Sequence, residues 1–273
     1  MTLPPPDFAF VSQLVRQRSA IDLQPGKEYL VESRLAPLAR AVGERDVAGV
    51  VARLRQGDSL VTDLVLDAMT TNETSWFRDG HPFSAVTQHL LPALVAEGTR
   101  SITIWSAACS SGQEAYSLAM VLLDWLPGRP GVRAQIVGTD VSPTMVGRAR
   151  AGRYSQLEVN RGLPAPYLVR HFEQVGRDWV LKPQVRALAR FELGNLAHPP
   201  VGMPSCDIVF LRNVLIYFDL QTKRTVLSHV RRVLRPGGYL LLGGAETTLN
   251  VDAAFHRLEL GRAVVFRHSG GAG

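Results

Sequence analysis

Residues 101–126 read SITIWSAACSSGQEAYSLAMVLLDWL. The first seven are rich in β-branched and aromatic residues, the composition of a buried strand. ACSSG (108–112) is a loop of small residues only, and QEAYSLAMVLLDWL (113–126) has the apolar spacing of an amphipathic helix. Outward from this unit the alternation repeats. AQIVGTD (134–140) predicts a strand, SPTMVGRARAG (142–152) a capped helix, and FEL (191–193) and CDIVFLRNV (206–214) further strands. QTKRTVLSHVRRVL (221–234) predicts a helix, followed by an RPGG turn and the strand YLLLGG (239–244). Strand–helix alternation predicts a parallel sheet covered by helices on both faces. The segments around 254–259 and 263–267 can close its edge as antiparallel strands.

The flanking sequence has a different texture. Residues 7–70 are helical in pattern: Phe8, Val11, Leu14 and Val15 share one face, as do Val47, Val50, Val51 and Leu54. Asp46 and Asp58 stand where N-caps belong, and further helices are expected over 28–42 and 59–69. Residues 153–190 interrupt the core alternation with a short helix and a hairpin turning at Gly176–Asp178. The expected organisation is a helical domain over 1–71 and an α/β domain over 72–273, the latter carrying an inserted β-subdomain at about 153–190.

Composition limits the function classes. Hydrophobic residues at 46% and charged residues at 20% of 273 exclude a disordered or fibrous chain. Two cysteines, Cys109 and Cys206, exclude a disulfide framework, and their spacing is wrong for zinc; no metal is expected. MTLPPPDFAF has no secretory pattern and no run approaches the ~20 apolar residues of a membrane span, so a cytoplasmic protein without membrane insertion is expected. The net charge is +6, and residues 129–190 carry 11 basic side chains against 4 acidic ones, net +7. Such a stretch suits nucleic acid, a membrane surface or an acidic protein, although the count alone slightly favours a surface simply solvated by arginine.

Ligands of open parallel sheets sit beyond the carboxyl ends of the strands. The small-residue loop after the first strand lets a ligand approach the backbone closely, but it is not GxGxxG, and no GxxxxGK[ST] occurs. Asp140, ending the second strand, suits ribose hydroxyls, the reading its position favours; the alternative is a cap for the following helix, which Ser142 can serve as well. Asn195 can meet an adenine edge or cap a helix. Thr70–Glu73 has the form of a capping box. Asn72 can be an N-cap, Arg78 a surface partner of Asp79, Glu114 a first-turn acid, and Tyr217 an aromatic beside Phe218. His81 is the one histidine near these residues.

TTNETSWFRD (70–79), WSAACSSGQEAYS (105–117), VGTDVS (137–142), FLRNVLIYFD (210–219) and RRVLRPGGYLLLGG occur in this order. Together they resemble the motif set of CheR-type chemotaxis methyltransferases, which esterify receptor glutamates. The likeness extends over nearly the whole chain, including SQLVRQRSAIDLQPGKEYLVESRLAPLAR in the helical region. It implies a Rossmann-like class I methyltransferase sheet with a small β-subdomain inserted, preceded by a small all-α domain, and S-adenosylmethionine (SAM) as cofactor, leaving S-adenosylhomocysteine. Residue by residue, it implies that Asn72, Thr74, Arg78, Glu114, Asp140, Asn195, Leu196, Arg212 and Asn213 bind SAM, and that Arg78 and Tyr217 take a direct part in transfer.

The resemblance also implies a partner, the acidic coiled coil of the cytoplasmic domain of chemoreceptors. The helical domain is the expected contact, with Arg34, Arg40, Arg53 and Arg55 available. The hairpin sequence VGRDWV is shorter than in relatives that dock a receptor's C-terminal pentapeptide, so no such docking is expected. Two departures, GQEAYS for the usual GEEPYS and GGAETTL for the usual GHSE, leave a non-catalytic SAM-binding scaffold as one alternative. A nucleic-acid methyltransferase is the other. It is disfavoured because RNVLIYF stands where a DPPY or NPPY tetrapeptide would, so no nucleic-acid partner is expected.

Overall fold

The computed structural model describes residues 3–270. Four helices come first: α1 (Pro5–Ser19), α2 (Glu28–Ala41), α3 (Val47–Arg55) and α4 (Ser59–Met69). Asp46 and Asp58 cap α3 and α4, their carboxylates accepting from the backbone N–H of Gly49 and Val61 at 3.1 Å each. Phe8, Val11 and Val15 of α1, Val31 and Leu35 of α2, Val50 and Val51 of α3 and Val61 and Val65 of α4 bury one shared core.

Residues 70–80 then run without a helix, so the capping-box reading of Thr70–Glu73 fails. Tertiary contacts hold this segment instead. The Trp76 N–H donates to the Arg161 carbonyl at 3.0 Å, and its ring is buried edge-on against Tyr154 and Phe172. The chain continues through α5 (His81–Ala85), a π-helical turn (Val86–Leu90) and α6 (Leu91–Ala96).

The α/β part comprises β1 (Ser101–Ala107), α7 (Gln113–Trp125), β2 (Arg133–Asp140), α8 (Pro143–Ala151), β3 (Arg153–Ser155), α9 (Gln156–Val159), α10 (Ala165–His171), β4 (Phe172–Val175), β5 (Asp178–Leu181), α11 (Pro183–Arg186), β6 (Ala189–Leu193), β7 (Cys206–Leu211), a 3₁₀ turn (Leu215–Tyr217), α12 (Leu220–Val233), β8 (Leu234–Leu242), β9 (Phe255–Leu260) and β10 (Ala263–His268). The main sheet has the order β6-β2-β1-β7-β8-β10-β9. Its first five strands are parallel, and β10 and β9 add antiparallel pairs. The order reverses at β1, so the crevice for a ligand opens beyond the ends of β1 and β7. The insert is a second sheet, β3-β5-β4, in which β3 joins the expected hairpin.

The expected RPGG turn is a bulge inside β8. Leu234 pairs with Cys206 and Tyr239 with Ile208, so residues 235–238 loop out between one strand's two halves. Pro236 has no N–H to give the ladder, and Gly237 takes φ +77°. A Cβ on Gly238 would lie 2.9 Å from the Arg235 carbonyl and 3.0 Å from that of Asp207, a close approach only glycine allows.

The basic stretch is mostly spent on the protein itself. Arg148 pairs with Glu158, Arg153 with Asp178 at 2.9 Å, Arg161 with Glu73 at 3.0 Å and Arg170 with Asp124 at 2.6 Å. Arg150 donates twice to the Phe191 carbonyl, at 3.0 and 2.7 Å. In the helical domain Arg34 holds the carbonyls of Met69 and Thr70, Arg53 grips Asp58, and Arg55 pairs with Asp7 over the Phe10 ring. Of the four arginines expected to face a partner there, Arg40 alone has no side-chain partner among the described residues. Among the described residues no helix is long and apolar enough to cross a membrane.

Candidate functional site

The loop after β1 is coiled tightly. Ala108 and Ser110 adopt left-handed backbone, φ +58° and +49°, which costs a side-chain-bearing residue about 1–2 kcal/mol. Bonds to β2 hold them: the Cys109 N–H donates to the Thr139 carbonyl at 2.9 Å, and the Ser110 N–H to Asp140 Oδ2 at 2.8 Å. The other Asp140 oxygen accepts from the Ser142 N–H at 3.0 Å. Ser142, not Asp140, is the cap of α8, its hydroxyl accepting from the Met145 N–H at 3.0 Å. Burial raises the Asp140 pKa, opposed by the backbone donors of Ser142 and Ser110.

Glu114 opens α7 and points back at the sheet. Its Oε1 accepts from the Ser106 hydroxyl at 2.7 Å and its Oε2 from Arg212 Nη1 at 3.1 Å. The Arg212 side chain, just past β7, is only 1% exposed. Its Nη2 donates to Asp79 Oδ2 at 2.5 Å and to the Arg78 carbonyl at 3.1 Å, while its buried Nε has no partner among the described residues. Asp79 therefore serves Arg212 rather than Arg78, and the Arg78 guanidinium is unpaired among the described residues.

Asn213 takes φ +59°, and the chain turns into the 3₁₀ segment that carries Tyr217. Glu246, four residues past β8, holds this turn: its carboxylate accepts from the N–H groups of Asn213 at 2.7 Å, Val214 at 2.8 Å and Gly243 at 2.7 Å. A Cβ on Gly243 would come within 2.7 Å of that carboxylate.

The ten residues singled out in the sequence, Asn72, Thr74, Arg78, Glu114, Asp140, Asn195, Leu196, Arg212, Asn213 and Tyr217, all line one cavity, with about 890 Å³ of unfilled space including its mouth. The Asn195 carboxamide is engaged, donating to the Arg18 carbonyl and accepting from the Ala197 N–H, at 2.9 Å each. The Asn72 carbonyl accepts from the Ser110 hydroxyl at 2.9 Å. Ser19 and Ile21 close the cavity from the helical domain. That domain is latched to the rim by Arg16–Asp219 at 2.7 Å and by Asp67, which accepts from the hydroxyls of Ser142 and Thr144.

Sequence reasoning missed Asp79 and Glu246 as parts of the site, along with the walls supplied by Ser19 and Ile21. For Glu246 the available signal was an acid closely following a double glycine at a strand end. His81 lies off the cavity wall, which carries no histidine or lysine. Cys109 is on the wall, but burial pushes its thiol pKa well up, so it remains a neutral small side chain.

Both parts of the chain match known proteins. Residues 6–70 match the family described as CheR methyltransferase, all-alpha domain, and residues 72–264 match CheR methyltransferase, SAM binding domain. Chemotaxis protein methyltransferase 1 of Pseudomonas aeruginosa is 38% identical over 266 residues, covering 96% of this chain and 97% of the relative. The chemotaxis protein methyltransferase of Vibrio parahaemolyticus is 36% identical over 271 residues, 98% of each chain.

Proposed function

Because the chain belongs to the CheR methyltransferase family, we propose that it transfers the methyl group of SAM to glutamate side-chain carboxylates of chemotaxis receptors, forming methyl esters. SAM-dependent methyl transfer in chemotaxis comes with the family; the carboxylate acceptor is the finer reading. We assign residues 1–71 to receptor contact and 72–273 to catalysis, with the insert at about 153–190.

The cavity walls fit the cofactor. The small-residue loop admits it close to the backbone, Asp140 suits its ribose, and the unpartnered Nε of Arg212 leaves a buried donor for it. Asn72, Thr74, Arg78, Glu114, Asp140, Asn195, Leu196, Arg212 and Asn213 would hold it. Because the Asn195 amide is engaged, its neighbourhood would contribute chiefly shape. When bound, SAM supplies a methyl group on a sulfonium, already activated for transfer.

The observation that carries the acceptor assignment is the unpaired Arg78 guanidinium on a wall that carries no histidine or lysine and whose acids are engaged, Glu73 by Arg161, Glu114 by Ser106 and Arg212, and Asp140 by backbone N–H groups. An amine or alcohol acceptor would have to lose a proton. A glutamate carboxylate, with a pKa near 4.3, is ionised at pH 7 and needs only orientation. Arg78 orients it and Tyr217 fixes the approach, and positioning of this kind contributes about 7–11 kcal/mol.

The test is incubation with methyl-labelled SAM and receptor-bearing membranes, followed by mild alkali. Volatile labelled methanol is the expected product. Label that stays on the protein means another acceptor, and no label means a scaffold; either overturns the reading. At saturating SAM, Arg78→Ala is expected to lower kcat/KM for receptor about 100-fold, the cost of a misplaced reactant, with a smaller loss for Tyr217→Phe. Unchanged kcat in both variants would remove them from the mechanism.

A receptor-tail pentapeptide is expected to show no saturable calorimetric binding. Gly176 and Arg177 alone join β4 to β5, which leaves little loop to clasp an added strand. Measurable binding of the pentapeptide would contradict this.

A further inference from the structure

The cofactor cavity has a neighbour. On the other side of Arg212 and Asp79 lies a second hollow, walled by Leu242, Gly243, Gly244, Glu246 and Thr247 at and beyond the end of β8, by His81, and by Arg257 and Arg262 of the β9–β10 hairpin. A further hollow shares Asp79, His81 and Arg262 with it and continues past His89 and Gly261, so one groove runs from the Arg212 partition out along the hairpin. The groove lies at the carboxyl ends of β7 and β8, the same edge of the sheet as the cofactor cavity, where open parallel sheets hold their ligands.

Both of its acids are already engaged. Asp79 is taken by Arg212, and Glu246 by three backbone N–H groups. Arg257 shares Glu259, at 2.6 Å, on the open face of the hairpin. Arg262 is exposed with no partner among the described residues, and His81 and His89 are exposed beside it. The groove thus offers a free cation and no free acid, next to a site whose acceptor is itself an anion.

We propose that this groove binds the protein substrate through an acidic side chain flanking the target glutamate, with Arg262 as its principal contact and His81 and Arg257 beside it. This rests on the carboxylate-methylation reading and extends it to substrate selection. A flanking acid held at Arg262 would set which glutamate on a helical substrate reaches the cavity. It would make recognition dependent on local charge rather than on the wider basic stretch, most of whose arginines already hold an acid or a carbonyl of the protein itself.

The test compares wild type with Arg262→Glu, Arg262→Ala and Arg262→Lys on receptor-bearing membranes at low and high salt. It uses the methanol-release assay together with calorimetric SAM binding and thermal melting. Arg262→Glu is expected to raise KM for receptor about tenfold at low salt, where rim charges act most strongly, with the effect shrinking at high salt. Arg262→Ala falls between, and Arg262→Lys is near wild type. SAM affinity and melting temperature stay put, since Arg262 is exposed and unpaired. If wild type forms methyl ester and Arg262→Glu keeps its KM within twofold at low salt, the groove assignment is overturned alone. If wild type binds SAM but forms no ester, the acceptor reading fails and the groove assignment with it.

Discussion

Arg212→Leu is expected to weaken SAM binding more than 100-fold and to lower the melting temperature by several degrees. The side chain is 1% exposed, and its guanidinium joins two other pieces of chain: α7 through Glu114, and the linker through Asp79 and the Arg78 carbonyl. Removing one member of a buried ion pair costs about 3–5 kcal/mol because the partner's charge is left uncompensated. Here the two partners differ. The Asp79 side chain is 42% exposed and can be rehydrated, whereas that of Glu114 is 14% exposed and cannot. The lower end, about 3 kcal/mol, is therefore expected, or about 6–12 °C for a protein of this size class. The effect on SAM is larger than an equal loss of stability would produce, because the variant deletes a donor facing the cavity and also frees Glu114 and the Arg78 backbone from their positions. Arg212→Lys keeps the charge without the planar fork and should recover stability more than binding. Glu114→Gln combined with Arg212→Leu should be less damaging than the two single losses added, since they share one bond. Calorimetry and melting curves check all of these. Unchanged SAM affinity in Arg212→Leu would show that the cavity does not depend on this arginine.

What the sequence revealed here, and what it hid, divides along contact distance. Strands β1, β2 and β7 were legible because β-branched runs report burial on both faces, and the caps Asp46, Asp58 and Ser142 because capping is a matter of three residues. The cavity residues were legible because they sit at strand ends and in motifs whose order resembles a known family. Long-range partners were not. Asp79 was matched with its neighbour Arg78, while its true partner lies 133 residues away. Thr70–Glu73 looked like a helix start because local pattern cannot register Trp76 being drawn under Tyr154 and Phe172. RPGG has turn composition, and only pairing with β7 reveals it as a bulge within one strand. Net charge misled for the same reason. A count of arginines does not say which are already holding an acid or a carbonyl, and in the basic stretch Arg133 and Arg177 alone lack such a partner among the described residues. The free cations that a substrate can meet were therefore visible only after the contacts had been counted.

Glu246→Ala is expected to reduce kcat at saturating SAM about 100-fold or more, with a smaller effect on SAM affinity. Its carboxylate is the common acceptor for the N–H groups of Asn213, Val214 and Gly243, all within 2.7–2.8 Å. Hydrogen bonds to a charged group contribute about 1.5–3 kcal/mol each, but Glu246 is half-buried and water can replace part of what is lost. A stability loss of about 2–3 kcal/mol is therefore expected. The larger consequence is geometric. Asn213 is held at φ +59°, a left-handed conformation that asparagine tolerates better than most residues with a side chain, and the carboxylate anchors the turn there through its N–H. Released, the turn relaxes and carries Tyr217 with it. Displacement of a positioned group by about 1 Å is enough to cost 100-fold in rate. Glu246→Gln separates the two contributions. The amide oxygen still accepts, but its NH₂ confronts a backbone donor, so one arm of the clamp becomes repulsive while side-chain volume is kept. Its kcat should fall between those of wild type and Glu246→Ala at nearly wild-type SAM affinity. If the clamp acted only on stability, lowering the temperature well below each variant's melting point would restore kcat; the expectation is that the deficit persists. Steady-state kinetics at two temperatures, read beside the melting curves, distinguish a residue that positions Tyr217 from one that merely helps the chain fold.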